Sequence, residues 1–155
     1  MPFPIMALAL AAALPQDTGV EVGFWHVGPT GSGTCQAVAQ FGDHVSISIE
    51  EDSGGAGHFF MSDDRWLLKE GDTKRGKFSW HEDTWSPPVE VDFRPIHMKN
   101  GNWMLVAETG PWMTENLLGA KKFWLSIPGL DFDDDFNVPN AADVTSALQA
   151  CNAKL

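Results

Sequence analysis

The stretch CQAVAQFGDHVSISIE, residues 35–50, contains the clearest structural pattern in this chain of 155 residues. Over residues 45–50, three β-branched side chains alternate with polar ones, which predicts a strand with one buried and one solvated face. Residues 35–41 alternate with the same period of two, and the intervening GDH predicts a short hairpin loop. The stretch therefore predicts two neighbouring antiparallel strands.

The rest of the chain repeats this pattern of short strands separated by turn residues. Gly, Asn, Asp and Pro recur at intervals of roughly ten residues, which is typical of antiparallel sandwiches and barrels. Further strands are predicted at residues 20–27, 58–61, 77–81, 89–94, 103–108 and 122–127. We therefore expect a mainly β protein, an antiparallel β-sandwich or barrel-like sheet with a C-terminal α-helix.

The helix is predicted over about residues 140–153, where the period of the apolar side chains changes. Val144, Leu148 and Cys151 are spaced i, i+4 and i+7, so they share one face of a helix. Asn140 is suited to the N-cap, and Asp143 lies in the first turn, where a negative charge favours the helix dipole. Burial of the shared face would direct Cys151 toward the sheet.

The N-terminal residues have the pattern of a secretory leader. The apolar run at residues 5–14 is too short for a bilayer, which takes about twenty residues, but it has the length of a signal-peptide core. Small residues at Ala11 and Ala13 fit a cleavage site, although no Lys or Arg precedes the run. A short N-terminal core helix is the alternative. We expect residues 1–15 to be a signal peptide and residues 16–155 to form a single domain.

The two cysteines, Cys35 and Cys151, are compatible with export. Neither belongs to a C-x-x-C pair of the kind that binds metals or exchanges disulfides. In an oxidising compartment two lone cysteines are expected to pair, whereas in the cytosol they stay free thiols, and both interpretations are open at this point. The export interpretation predicts a periplasmic or secreted protein, with no stable membrane insertion after removal of the leader.

The charge balance narrows the range of partners. Twenty-one acidic side chains against ten basic ones give a formal net charge of −11. Binding to DNA or RNA phosphates requires a basic face, so the acidity argues against nucleic acid and we expect no nucleic-acid partner. A protein or a glycan is the class of partner that remains.

An acidic series near the C-terminus resembles the start of a calcium-binding loop. The series has the form D-x-D-x-D-x-N, and its residues are Asp131, Asp133, Asp135 and Asn137. It lacks the glycine at the sixth position and the glutamate at the twelfth that an EF-hand requires. A weak Ca²⁺ site is therefore one interpretation and a solvated acidic loop is the other, and no other cofactor is predicted.

Seven tryptophans are spread along the chain, as they would be in a packed core. Three of them belong to turn regions: Trp80 and Trp85 flank the sequence HEDT, and Trp112 follows a Gly-Pro pair. Indoles in loops with polar neighbours are suited to stacking on sugar rings. These three are therefore candidate ligand-binding residues of a carbohydrate site, with a core role as the alternative.

No residue is assigned a catalytic role. The five histidines are scattered without the spacing of a zinc motif, and the chain has no G-x-S-x-G elbow. His81 and Glu82 could form half of an acid–base site, but neighbouring residues of a strand point to opposite faces. A small hydrolase built around these two residues is kept as a hypothesis, and the sequence leans against an enzyme.

Several features recur together in one family. They are a short leader, a first strand of the form W-x-V at residues 25–27, a cysteine in the next strand at Cys35, the late strand FWLSIPG at residues 123–129, and a final helix with L-x-x-C at residues 148–151. In this combination the chain resembles the invasion-associated locus B family of small exported alphaproteobacterial proteins. The resemblance implies a periplasmic β-sandwich with a terminal helix and no known catalytic residues.

The leading functional hypothesis is a non-catalytic periplasmic or secreted interaction module, stabilised by a disulfide between Cys35 and Cys151. A carbohydrate- or calcium-binding module is the first alternative, and the small hydrolase is the second. Exposed indoles in a groove would favour carbohydrate binding, and a histidine–carboxylate pair in a cleft would favour the enzyme.

Overall fold

The hairpin at residues 35–50 lies in the first half of an antiparallel sheet of ten strands. The computed structural model describes residues 19–52, 54, 57–110, 115, 116 and 119–155. The expected leader, residues 1–15, and the candidate ligand residue Trp112 lie outside this part of the chain. The mainly β fold class with a C-terminal helix is confirmed.

The strands and the helix follow one another along the described residues. They are β1 (Val20–Val22), β2 (Trp25–Pro29), β3 (Thr34–Phe41), β4 (Val45–Asp52), β5 (Gly57–Asp63), β6 (Lys74–His81), β7 (Val89–His97), β8 (Trp103–Thr109), β9 (Lys122–Ile127), β10 (Phe132–Asn137) and α1 (Ala141–Asn152). A 3-10 turn at Pro128–Leu130 joins β9 to β10. Within the described ranges, no helix combines the length and the apolar character that crossing a membrane requires.

The first predicted strand is a pair of strands. The expectation of one strand over residues 20–27 is wrong, because β1 and β2 form an antiparallel hairpin in which Val22 lies opposite Trp25. Gly23 adopts a left-handed conformation with φ of 61°, which a residue without a Cβ atom reaches at little cost. The chain therefore reverses at this glycine.

The register of β3 and β4 explains why the predicted hairpin forms. Ala37 lies opposite Ile49 and Ala39 lies opposite Ile47, and all four side chains are buried. The alternating residues of both strands, most of them polar, belong to the outer face. Since a slip by one residue would expose the apolar set, the hydrophobic pattern specifies this register.

One long strand, β7, connects the two halves of the sheet. Its residues 89–93 pair with β6, and its residues 94–97 pair with β8. The strand order is β1-β2-β3-β4-β5-β8-β7-β6-β9-β10, with β1 and β10 at opposite ends of the described sheet. The sheet is therefore not closed into a barrel. It folds at β7 so that its two halves face each other as a sandwich.

The core lies between the facing halves and is rich in phenylalanine rings. The ring of Phe59, from β5, lies 5.0 Å from Phe78 and 6.5 Å from Phe123, which both belong to the opposite half. Phe41 and Phe136 meet across the same gap, with their centroids 5.1 Å apart. All three contacts are edge-to-face, a geometry that adds about 0.5–1.5 kcal/mol beyond the burial of area. These rings hold the two halves together.

The corner at β7 depends on a close approach at Gly76. A Cβ atom at this position of β6 would lie 2.7 Å from the ring of Phe93, the last β7 residue that pairs with β6. Phe93 is fully buried, and its ring lies 5.8 Å from Phe78. Gly76 therefore leaves the space through which Phe93 reaches the core.

Helix α1 packs its apolar face against β2 and β3. Val144 and Leu148 are buried, as their spacing predicts. Asn140 precedes the helix in a left-handed conformation with φ of 63°, and its side chain makes no capping hydrogen bond. Asn140 is therefore the N-cap residue, as predicted, but its side chain does not cap the helix, because its amide group lies beside Gly23 in the β1–β2 turn instead.

The last turn of α1 is joined covalently to the sheet. Cys151 forms a disulfide with Cys35 of β3, and the two Cα atoms are 6.1 Å apart. The two residues are separated by 116 positions in sequence, and Cys35 is fully buried. The predicted disulfide is confirmed, and it ties the end of the chain to its third strand.

We expect the double substitution Cys35→Ala and Cys151→Ala to lower the free energy of unfolding by up to about 4–5 kcal/mol. The reason is that the disulfide restricts a long loop in the unfolded chain. Denaturant unfolding at fixed pH measures the difference. As a control, dithiothreitol should lower the melting temperature of the wild type and leave that of the double variant unchanged. Equal unfolding free energies for variant and wild type would contradict a stabilising role.

Candidate functional site

Two tryptophans line a groove on the outer face of the second half of the sheet. The groove has a volume of about 430 Å³, and its lining residues are Ser79, Trp85, Ser86, Pro88, Trp124 and Asp135. We call it the indole groove. Its volume lies within the range of roughly 300–1,000 Å³ that is typical of small-molecule sites.

The alternation of β9 directs Trp124 into this groove. Its neighbours Phe123 and Leu125 are buried in the core, so the residue between them faces the outer side. Trp124 lies opposite Ser79 of β6 on one side and opposite Asp135 of β10 on the other. The register therefore brings a hydroxyl, an indole and a carboxylate together across three strands.

A hydrogen bond fixes the orientation of the Trp124 ring. The indole Nε1–H donates to Oδ1 of Asp133 at 2.8 Å, and Asp133 lies two positions before Asp135 on β10. A side chain that is already fixed loses little conformational entropy when a ligand arrives. The groove is therefore preorganised on this side.

The other indole, Trp85, is presented by the loop between β6 and β7. The next residue, Ser86, is anchored to β6 by its backbone and by its side chain. Its amide donates to the Trp80 carbonyl at 2.8 Å, and its hydroxyl accepts from the Trp80 amide at 3.0 Å. Its carbonyl accepts from the Ser79 hydroxyl at 2.6 Å. These bonds hold the loop against the sheet.

The Trp85 ring is supported from two directions and still reaches solvent. It packs edge-to-face with His81, with centroids 5.0 Å apart, and the Lys122 ammonium lies 5.6 Å from its centroid. A cation over an indole contributes about 0.5–1 kcal/mol at an exposed site. Trp85 remains 41% exposed, so it offers apolar surface in a fixed position.

The structure separates the tryptophans that the sequence selected. Trp85 lines the indole groove, whereas Trp80 packs against the core and Trp112 lies outside the described residues. Trp124 is missing from the predicted set, because it stands in the apolar run at residues 123–125. The polar residues Lys122 and Ser126, two positions to either side, are the signal that places it on the outer face. The core role applies to three other tryptophans: Trp25, Trp66 and Trp103. Ligand binding by Trp80, Trp85 and Trp112 stays a prediction.

Most of the acidic series at residues 131–137 is a strand rather than a loop. Phe132 and Phe136 are buried, since Phe132 packs against Trp66 and Phe136 against Phe41 across the sandwich. The carboxylates between them are exposed. The carboxylates are therefore solvated, as one interpretation predicts, but the loop assignment is wrong because they belong to a strand. Two aromatic residues four positions apart anchor this segment to the core as an edge strand.

The proposed calcium ligands lie along an extended backbone. Asp131 precedes β10 in a left-handed turn with φ of 52°, and Asp133, Asp135 and Asn137 are exposed positions of the strand. A strand rises about 3.3 Å per residue, which spreads such side chains out. Among the described residues, no group of three or more His, Cys, Asp or Glu side chains is arranged to hold a metal ion. Calcium binding at these four residues stays a prediction.

A histidine–carboxylate pair occurs at a second groove, of about 400 Å³. His44 Nδ1 lies 2.7 Å from Asp64 Oδ1. The two side chains are 45% and 66% exposed, so water surrounds the pair. At the position considered for a hydrolase, His81 contacts the Trp85 ring and Glu82 is exposed. The His44–Asp64 pair and Glu82 are therefore open to solvent, whereas His81 is half-buried.

The second groove also contains a buried carboxylate, Asp63. Arg65 donates to it through its backbone amide at 3.0 Å and through its side-chain Nε at 2.8 Å. The side-chain hydrogen bond from Arg65 lowers the pKa of the Asp63 carboxyl and outweighs burial, which raises it. Asp63 is therefore ionised at neutral pH, and it fixes the turn that follows β5.

The fold of this chain is shared with a known protein. No family model and no curated protein matches the sequence. A solved structure is similar, that of invasion associated protein B from Bartonella henselae, with a TM-score of 0.59 and 13% sequence identity. The match covers 87% of this chain and 98% of the Bartonella chain. At this identity the similarity shows the fold alone, and at that level it confirms the resemblance seen in the sequence.

We expect Asp63→Asn to lower the free energy of unfolding at neutral pH by about 1–2 kcal/mol. The effect is smaller than for a fully buried ion pair, because the partner Arg65 is largely exposed to solvent. The pKa of Asp63 is depressed in the folded protein. The stabilisation that the ionised Asp63 contributes to the folded protein is therefore fully present above the unfolded-state pKa of about 3.9. It is lost as the pH falls through the lower pKa that Asp63 has in the folded protein. Denaturant unfolding as a function of pH measures this loss.

Asp64→Asn is the matched control for this prediction, because Asp64 is adjacent and exposed. It should change the unfolding free energy less than Asp63→Asn does at neutral pH. A difference between Asp63→Asn and wild type that stays constant down to about pH 2 would contradict the role assigned to the ionised carboxylate.

Proposed function

We propose that this chain is a non-catalytic binding module that acts in the periplasm or as a secreted protein and contacts its partner at the indole groove. The observation that carries the proposal is the disulfide between Cys35 and Cys151, which links the terminal helix to the sandwich. Structural disulfides persist in oxidising compartments and are rare in the cytosol. The apolar residues 5–14 would supply the export signal.

The fixed side chains of the indole groove and the solvent exposure of the His44–Asp64 pair support binding rather than catalysis. Trp124 and Ser86 are held in place by hydrogen bonds before any ligand arrives, which is what a recognition surface requires. The His44–Asp64 pair is exposed, and proton transfer at such a site has no protection from bulk water. A module that recognises its partner without transforming it is consistent with both features.

The partner class follows from charge. A net charge of −11 disfavours nucleic acid and leaves a protein or a glycan as the partner. The likeness to invasion associated protein B supports the architecture of this proposal and carries no information about the partner.

In cells that make the protein, we expect it in the periplasmic fraction or the medium, with a mature N-terminus shortly after Ala13 and both cysteines oxidised. Cell fractionation, N-terminal sequencing and alkylation of the unreduced protein followed by mass spectrometry measure these properties. A variant with Leu8→Arg and Leu10→Arg is the control, because charges interrupt the apolar run that export requires. It should stay in the cytosol with alkylatable thiols. Wild-type protein found in the cytosol with two free thiols would refute the proposal.

A further inference from the structure

We infer that the indole groove binds a short, uncharged oligosaccharide. This inference rests on the proposed binding function and names the ligand class of the same groove. Three properties carry it: two indoles that reach solvent, a carboxylate beside one of them, and an acidic rim.

The indoles supply flat apolar surfaces for sugar rings. A pyranose ring has faces made of C–H groups, which pack on an indole while the hydroxyls around the ring contact polar groups. Trp85 is 41% exposed and Trp124 is half-buried, and they belong to different elements, the β6–β7 loop and β9. The two rings therefore offer separate contacts to a ligand longer than one sugar.

Asp135 supplies hydrogen-bond acceptors next to the Trp124 ring. It lies directly opposite Trp124 in the β9–β10 register, and it lines the groove. Among the ion pairs of the described residues, none involves Asp135, so both carboxylate oxygens are available to sugar hydroxyls. Hydrogen bonds to an ionised acceptor are about twice as strong as neutral ones. Asp133 has a different role, since it positions the Trp124 ring.

The rim of the groove selects against anionic sugars. Asp133 and Asp135 lie on the outer face of β10, on the same side as Trp124, and both are exposed. The Lys122 ammonium lies over the Trp85 ring and offsets only part of this charge. A ligand with carboxylate groups is repelled by such a rim, and the repulsion weakens as salt is added. An uncharged sugar avoids this penalty.

Aromatic grooves also bind proline-rich peptides, but here the observations favour a saccharide. A proline-rich peptide in such a groove presents carbonyl groups that need a hydrogen-bond donor from the protein. An indole N–H is a group that can act as this donor. Of the two indoles in the groove, Trp124 cannot serve as that donor, because its Nε1–H is already bonded to Asp133. The carboxylate that remains in the groove, Asp135, is an acceptor, which suits hydroxyl donors.

The test is calorimetric titration of the oxidised protein with maltohexaose, cellohexaose and chitohexaose, and in parallel with hexagalacturonate and decaproline. We expect one or more of the three neutral hexasaccharides to bind and hexagalacturonate not to bind at low ionic strength. Trp85→Ala and Trp124→Ala should each lower the affinity for the neutral hexasaccharide about tenfold. Leu67→Ala, which removes an exposed apolar side chain outside the groove, should leave the affinity unchanged.

Asp135→Asn tests the carboxylate separately. It should lower the affinity for the neutral hexasaccharide and also reduce the difference in affinity between that sugar and hexagalacturonate. A merely structural role of Asp135 would not produce both effects. The melting temperature of each variant verifies its fold. If Trp124→Ala does not fold, Trp124→Phe and Asp135→Asn carry the test.

Several results would overturn the inference. They are the absence of binding by all three neutral sugars, unchanged affinity in both tryptophan variants, or tighter binding of hexagalacturonate. Binding of decaproline alone, with loss in the same variants, would overturn the saccharide class and leave the proposed binding function intact. The export part of the proposed function is tested independently by the fractionation experiment, and it fails if the wild-type protein is cytosolic with free thiols.

Discussion

The covalent bond between Cys35 and Cys151 is the constraint on which the arrangement of this molecule depends. Helix α1 has 12 residues, a length that is marginal for an isolated helix in water. Its stability therefore comes from the burial of Val144 and Leu148 against the sheet and from the bond that holds its last turn there. Because the bond connects the third strand with the final helix, it restricts almost the whole described chain in the unfolded state.

The corner in β7 is the second constraint. It turns one continuous sheet into two facing halves, and the phenylalanine rings between them form the core. In strands such as β3 and β9, one face then lies in the core and the other faces outward. On β9 this alternation buries Phe123 and presents Trp124, so the same backbone geometry builds both the core and the indole groove.

The acidic residues of β10 have distinct positions once the strand is in place. Asp133 accepts a hydrogen bond from an indole, and Asp135 lines the groove. These carboxylates contribute to the net charge of −11, and they lie on the surface on which we place ligand recognition. At the other groove, Asp63 is neutralised locally by Arg65 and fixes a turn.

The sequence by itself determined the elements whose pattern is local. The period of two at residues 35–50 and the helical spacing of Val144 and Leu148 follow from short-range geometry. The pairing of Cys35 with Cys151 stayed open at the level of the sequence, because the redox compartment decides whether lone cysteines pair. Only the tertiary structure decided the identity of β10 and the partnership of Trp85 with Trp124. In β10 the acidic residue Asp134 stands at the inward position between Phe132 and Phe136, so the sequence does not show the alternation of a strand. Trp85 follows β6 and Trp124 belongs to β9, and these two strands pair although they are distant in sequence.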